Sequence, residues 1–260
     1  MTDINIPTFY KENKRGMPLI IFIHGAGCDH TLWCYQNRYF YNRGYSILSI
    51  DLPGHGINSL KALKSIDGMA NYINNLLKKL PQKEAYLIGH SMGSLICLKM
   101  ALYKLSKIKK IIMIGVSYPM NVSDQLLEKS KTDQDGAIAD MINWSLPSHI
   151  KLRGSKLTGI NLPNLVNKIM TNTPSGVLFK DLIACKRFKL KDNDFQLINI
   201  PMNILAGEND IMTPIKGLHS LLNSVSNSNL IVLKNVGHFL TLEAPIEVNN
   251  KIEKILEITN

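Results

Sequence analysis

An α/β fold, with a mostly parallel sheet covered by helices on both faces, is what this chain predicts, and three observations predict it. Short apolar runs bounded by glycine or proline alternate with stretches of helical length through residue 116. Gly89-His90-Ser91-Met92-Gly93 stands between an apolar run at 85–88 and an apolar stretch at 95–102, so strand, sharp turn and helix meet at Ser91. The chain has 260 residues, 45% hydrophobic and 19% charged, which suits one domain of this class with room for an insertion.

Residues 4–11 are read as an opening strand or two. The run 19–23 is continuous, apolar and rich in β-branched residues, and lies between Pro18 and Gly25, as a strand buried on both faces should. His24-Gly25-Ala26-Gly27 follows it, a glycine-rich loop of the kind that can turn backbone N–H groups into a site. Residues 31–43 read as an aromatic-rich helix ended by Gly44, and 45–50 as the next strand. Asp51-Leu52-Pro53-Gly54-His55-Gly56 is a turn-rich loop expected to be structural. An amphipathic helix over 66–80 stops at Pro81. The strand and helix that flank Ser91 come next, and 111–116 is another fully apolar strand.

The alternation then lapses. From 117 to 199 only amphipathic helical stretches appear, such as 126–144, with breakers at Pro147, Gly154, Pro163 and Pro174. The division expected is a core of residues 1–117 and 200–260 with a helical lid at 118–199, rising from the edge of the sheet where the preceding strand ends. Met141, Trp144, Leu146 and Phe179 are the lid side chains to consider for a substrate pocket, although packing within the lid competes for each. Strand signals resume at 202–206 and 230–233, with a helix to about residue 222 between them and a last helix over most of 244–258.

Composition narrows the function classes. Residues 1–16 are polar and mixed in charge, without the apolar core of a signal peptide, and no run approaches the length of a membrane span. Cys28, Cys34, Cys97 and Cys185 have neither metal-type nor redox-type spacing, so reduced thiols in a cytoplasmic protein are expected. No histidine pair has metal-ligand spacing, and neither a metal nor another cofactor is called for. The net charge of +10 has only Lys104, Lys107, Lys109 and Lys110 as a cluster; these are read as a solvated face near a helix C-terminus, not a nucleic-acid surface.

Ser91, Asp210 and His238 each fall just after a predicted strand, in that order. With HGAG at 24–27, DLPGHG at 51–56, GHSMG at 89–93, GENDIMTP at 207–214 and GHFLTLEAP at 237–245, the chain resembles the α/β-hydrolase superfamily over nearly its whole length. The resemblance implies a serine nucleophile, a histidine base and an aspartate behind it. Glu208 competes for the acid; the family pattern, with the acid three residues after Gly207, favours Asp210. Serine needs an adjacent base at neutral pH, and histidine can take its proton and return it to the leaving group. The oxyanion donors implied are the amides of Met92 and Ala26. Gly27 is the alternative second donor and, with Trp144, a candidate substrate contact. His24 and His90 are expected beneath the site, His30 near its entrance, His55 in a turn, and His149 and His219 at the surface.

The activity expected is hydrolysis of a small carboxylic ester or thioester through an acyl-enzyme. Carbon–carbon bond hydrolysis or a lyase step on a small ketone or acid is the alternative enzyme reading, since relatives with the same triad do both. A small-molecule receptor is the non-enzyme alternative. A dehalogenase is disfavoured, because those relatives carry aspartate where this chain has Ser91. The partner expected is therefore a small molecule, with the oligomeric state open.

Overall fold

The computed structural model describes residues 8–13, 17–153 and 159–257. Among them, continuous apolar runs become the strands that sit at the centre. β1 (Thr8–Lys11) is an edge strand, followed by β2 (Leu19–Ile23), α1 (Cys34–Asn42), β3 (Ser46–Ile50), α2 (Ile66–Leu77), β4 (Ala85–His90), α3 (Met92–Ala101) and β5 (Ile108–Ile114). The seven-stranded order is completed by β6 (Met202–Gly207) and β7 (Ser228–Leu233), and reads β1-β3-β2-β4-β5-β6-β7. Only β1 runs antiparallel to its neighbour; all other pairings are parallel. Every residue of β2 and β3 is buried, as a parallel strand covered on both faces requires.

The topology explains where a site forms. From β2 the chain steps outward to β3, then crosses back to place β4 on the other side of β2, with Ile23 opposite Gly89. Connections leaving β2 and β4 therefore diverge, and a crevice opens beyond their C-terminal ends. The HGAG loop and Ser91 meet there.

Between β5 and β6 run α4 (Asp124–Thr132), α5 (Gln134–Ser145), α6 (Ser148–Arg153), α7 (Leu162–Thr171), α8 (Val177–Arg187) and α9 (Asp192–Phe195). The single stretch expected at 126–144 is broken at Asp133. Its backbone leaves the helical region (φ −145°, ψ 78°), and its carboxylate accepts the Gly136 N–H, ending one helix and capping the next. The expected helix over 31–43 likewise begins as a 3-10 turn, His30–Trp33, because Asp29 accepts the Thr31 N–H at 2.9 Å. Gly154 and part of the opening strand expected at 4–11 lie outside the described residues. After β6, α10 (His219–Ser224) precedes β7, and α11 (Leu240–Glu243) and α12 (Pro245–Glu257) close the chain.

The lysine cluster has a structural use. Lys107 Nζ donates to the carbonyls of Leu77 and Leu80 at the end of α2, both at 2.9 Å, and Lys110 Nζ to Ile255 near the end of α12 at 2.8 Å. A cation at a helix C-terminus is favoured by the helix dipole. No helix among the described residues is long and apolar enough to cross a membrane.

Candidate active site

Ser91 occupies a backbone conformation that a side chain tolerates poorly, φ 52° and ψ −114°. Such strain costs of order 1–3 kcal/mol and persists only where the surroundings over-determine it. Here its amide donates to the Ile114 carbonyl at 2.8 Å, while the Ser94 hydroxyl donates to Gly89 O and accepts the Ile114 amide. The turn is tight enough to require glycine on both flanks. A Cβ on Gly89 would lie 2.3 Å from Gly93 O, and one on Gly93 only 2.2 Å from Ile23 O. Ser91 stands at the N-cap of α3, yet among the described residues its side chain makes no capping hydrogen bond.

His238 and Asp210 come from the loops after β7 and β6. Gly207 lets these loops touch, since a Cβ there would sit 2.2 Å from Gly237 O. His238 Nδ1 and Asp210 Oδ2 are 2.8 Å apart, and both residues are buried. Thr213 also donates to the carboxylate, from its hydroxyl to Oδ2 (2.6 Å) and its amide to Oδ1 (2.8 Å). Burial alone would raise the Asp210 pKa, but the His238 charge and these hydrogen bonds outweigh it, bringing the pKa down to about 2. An ionised Asp210 fixes the proton of His238 on Nδ1, leaving Nε2 as the acceptor. Glu208, the competing acid, is exposed and accepts the Asn235 amide at 3.0 Å, away from His238.

The loop carrying His238 is held from three sides. Its amide donates to Ser145 O on α5 (2.8 Å), and its carbonyl accepts from His90 Nε2 (2.9 Å). Burial, reinforced by the charge of His238, lowers the His90 pKa to about 3, so the ring is neutral with its proton on Nε2. Glu243 grips the backbone on either side: Gly237 N–H donates to Oε2 (2.8 Å) and Phe239 N–H to Oε1 (2.9 Å). Desolvation overrides those bonds and raises the Glu243 pKa to about 7. Glu243 lies within GHFLTLEAP, where nothing in the sequence marks it for this role.

Ser91, His238 and Ala26 line one cavity of about 300 Å³, at the lower end of ligand-site sizes. Its walls include Met120, Val122, Leu126, Met141, Trp144 and Leu182, and no described lining residue is Lys, Arg, Asp or Glu. Of the other two residues between β5 and β6 expected to line it, Leu146 is buried in the core and Phe179 packs against the core; neither borders the cavity. The amides of Ala26 and Met92 are taken up by no loop carbonyl or side chain among the described residues. Gly27 requires correction. Its amide is already donated to Asp181 Oδ2 at 2.9 Å, and the residue does not line the cavity, so it serves neither as a spare oxyanion donor nor as a substrate contact.

The remaining histidines sort by partner. His24 is buried beneath the site, its Nδ1 on Gly25 O (2.8 Å) and its Nε2 accepting the Leu52 amide (3.2 Å); burial, then His55, lowers its pKa to about 4. His30, expected near the entrance, turns instead to Asp51 at 2.8 Å and does not line the cavity. His55 is fully enclosed against Asp181. His219 is exposed and His149 half-buried.

Comparison with known proteins agrees with this architecture. A family model described as alpha/beta hydrolase fold matches residues 18–245. The chain is 24% identical over 261 residues to an (E)-2-((N-methylformamido)methylene)succinate hydrolase of Acinetobacter baylyi, covering 98% of this chain and 96% of that one. It is 25% identical over 249 residues to the monoacylglycerol lipase ABHD6 of Bos taurus, covering 88% and 72% respectively. An esterase from Exiguobacterium antarcticum superposes with a TM-score of 0.85 at 19% identity, covering 96% and 95%.

Proposed function

The chain belongs to the alpha/beta hydrolase fold family, and from that premise we propose that it is a serine hydrolase cleaving a small carboxylic ester or thioester through an acyl-enzyme. One observation carries the reading: His238, held by the buried Asp210 at 2.8 Å, lines the same cavity as a serine in a strained backbone conformation whose side chain caps nothing.

In this mechanism Ser91 Oγ attacks the acyl carbon while His238 Nε2 takes its proton. Asp210 holds the imidazole in the required tautomer and offsets the positive charge that develops on it. Negative charge collects on the former carbonyl oxygen, where the amides of Ala26 and Met92 meet it. His238 then passes its proton to the departing alcohol or thiol, and the acyl group stays on Ser91. Water, activated by the same histidine, attacks the ester and regenerates the serine. No metal or redox cofactor enters these steps.

Residues 118–199 act in this account as a helical lid on the core formed by 1–117 and 200–260. Their apolar contribution to the cavity suits an uncharged acyl chain, because a carboxylate buried without a partner carries a large desolvation cost. Four unpaired cysteines, Cys28, Cys34, Cys97 and Cys185, fit a reducing cytoplasmic setting. The test is a panel of p-nitrophenyl esters of increasing chain length with acyl-CoA thioesters beside it. Turnover of at least one class, absent in Ser91→Ala, is expected; no turnover of either class above the Ser91→Ala background refutes the reading.

A further inference from the structure

Gly27 is pinned on both of its peptide groups by the helices inserted between β5 and β6. Its amide donates to Asp181 Oδ2 of α8 at 2.9 Å, and its carbonyl accepts from the Thr173 hydroxyl, just beyond α7, at 2.8 Å. Its φ of +66° is a glycine conformation, and a Cβ there would press on Leu178 of α8 at 3.0 Å and Met170 of α7 at 3.3 Å. The same Asp181 oxygen faces His55 Nε2 at 2.8 Å, and His55 Nδ1 faces Pro53 O at 3.3 Å. Both ring nitrogens thus have acceptors, as an imidazolium requires. One buried carboxylate joins three segments far apart in sequence: the loop after β2, the loop after β3 and α8.

We propose that Asp181, held by His55, is a positioning residue for the oxyanion loop, so that Ala26 presents its amide correctly only while α8 is seated. This rests on the serine hydrolase reading above. A buried ion pair can often be replaced by apolar side chains of similar size with little loss of stability, so burial alone does not explain it. What apolar side chains cannot supply is an acceptor for the Gly27 amide. With that amide and the following carbonyl both fixed, the peptide planes either side of Gly27 are set, and the Ala26 amide next to them inherits the alignment. Asp181 Oδ1 is buried with no partner among the described residues, so the carboxylate concentrates its hydrogen bonding on the oxygen that serves Gly27 and His55. An oxyanion donor is effective only when aimed in advance, and displacements of about 1 Å can cost a factor of about 10². Helix α8, which supplies Leu182 and Cys185 to the cavity wall, therefore does more than cover it: with Thr173 beyond α7 it completes the catalytic loop, and any lifting of α8 that breaks these bonds releases it.

The experiment compares wild type with the paired replacement Asp181→Leu and His55→Leu, and separately with Thr173→Val. Assembled sites are counted by end-point fluorophosphonate labelling, and kcat is expressed per labelled site. The paired variant is expected to lose about 10- to 100-fold in kcat per labelled site, with KM within about twofold. Affinity for a trifluoromethyl ketone ester analogue should fall by a similar factor, because that ligand needs the same donors. Thr173→Val, which removes one of the two ties, is expected to lose about 3- to 10-fold. A merely structural role would lower the melting temperature and the number of labelled sites but leave kcat per site and analogue affinity unchanged, and that outcome overturns the proposal. Should the paired variant not fold, Thr173→Val decides, an unchanged kcat per site being the contrary result. Absence of labelling or turnover in wild type would refute the serine hydrolase reading itself and this proposal with it.

Discussion

Replacing Glu243 by glutamine tests how the loop bearing His238 is held. The carboxyl is buried, with one oxygen on the Gly237 amide and the other on the Phe239 amide, and its pKa is raised from 4.5 to about 7, chiefly by desolvation. Between those two pH values the folded protein retains a proton that the unfolded chain has released. Stability therefore falls as pH rises through this window, the contribution being complete below pH 4.5 and lost above pH 7. At about 1.4 kcal/mol per pH unit, the change amounts to about 3 kcal/mol. Glutamine does not titrate, so the stability advantage of wild type over Glu243→Gln should shrink by about 3 kcal/mol between pH 4 and pH 8. Urea unfolding followed by tryptophan fluorescence at half-unit pH intervals measures it. A difference constant to within about 0.5 kcal/mol across that range would refute the claim that burial holds this carboxyl protonated near neutrality.

Three further outcomes follow from the same geometry. Asp210→Asn is expected to lower kcat by about 10³- to 10⁴-fold, since an amide no longer fixes the His238 tautomer, whereas Glu208→Gln, exposed and tied to Asn235, should cost less than about tenfold; steady-state kinetics on one ester separates them. Asp210 also stabilises the fold above its unfolded pKa of 3.8, a contribution lost as pH falls toward about 2, so acid unfolding of Asp210→Asn should be less steep in that range. Trp144→Ala should shift preference among acyl chain lengths, because Trp144 borders the cavity and each methylene buried against it is worth about 0.8 kcal/mol. An unchanged ratio of kcat/KM for a short and a long ester would remove Trp144 from the acyl site.

What the sequence made legible was local or repeated. β2 and the apolar centres of β4 and β5 were readable because positions covered on both faces must be apolar, and glycines 89 and 93 because a strand turning sharply into a helix leaves no room for Cβ; the start of β5, which carries Lys109 and Lys110, was not. Ser91, Asp210 and His238 could be singled out as candidates because each follows a strand within a motif. Long-range pairing was not readable. Nothing near Asp181 indicates that its carboxylate reaches Gly27, 154 positions away, or His55, 126 away. Gly27 shows the reason: a glycine-rich loop advertises free amides, but not which of them another segment has taken. The break at Asp133 was missed because an aspartate inside an amphipathic pattern looks like an exposed helical position until its side chain is seen capping Gly136.

Whether Ser91 is the nucleophile is read from the kcat/KM of Ser91→Ala on the best ester of the panel. Because a triad serine is worth several orders of magnitude, a loss of at least about 10⁴-fold is expected, with the melting temperature close to that of wild type. Activity within about tenfold of wild type would contradict it.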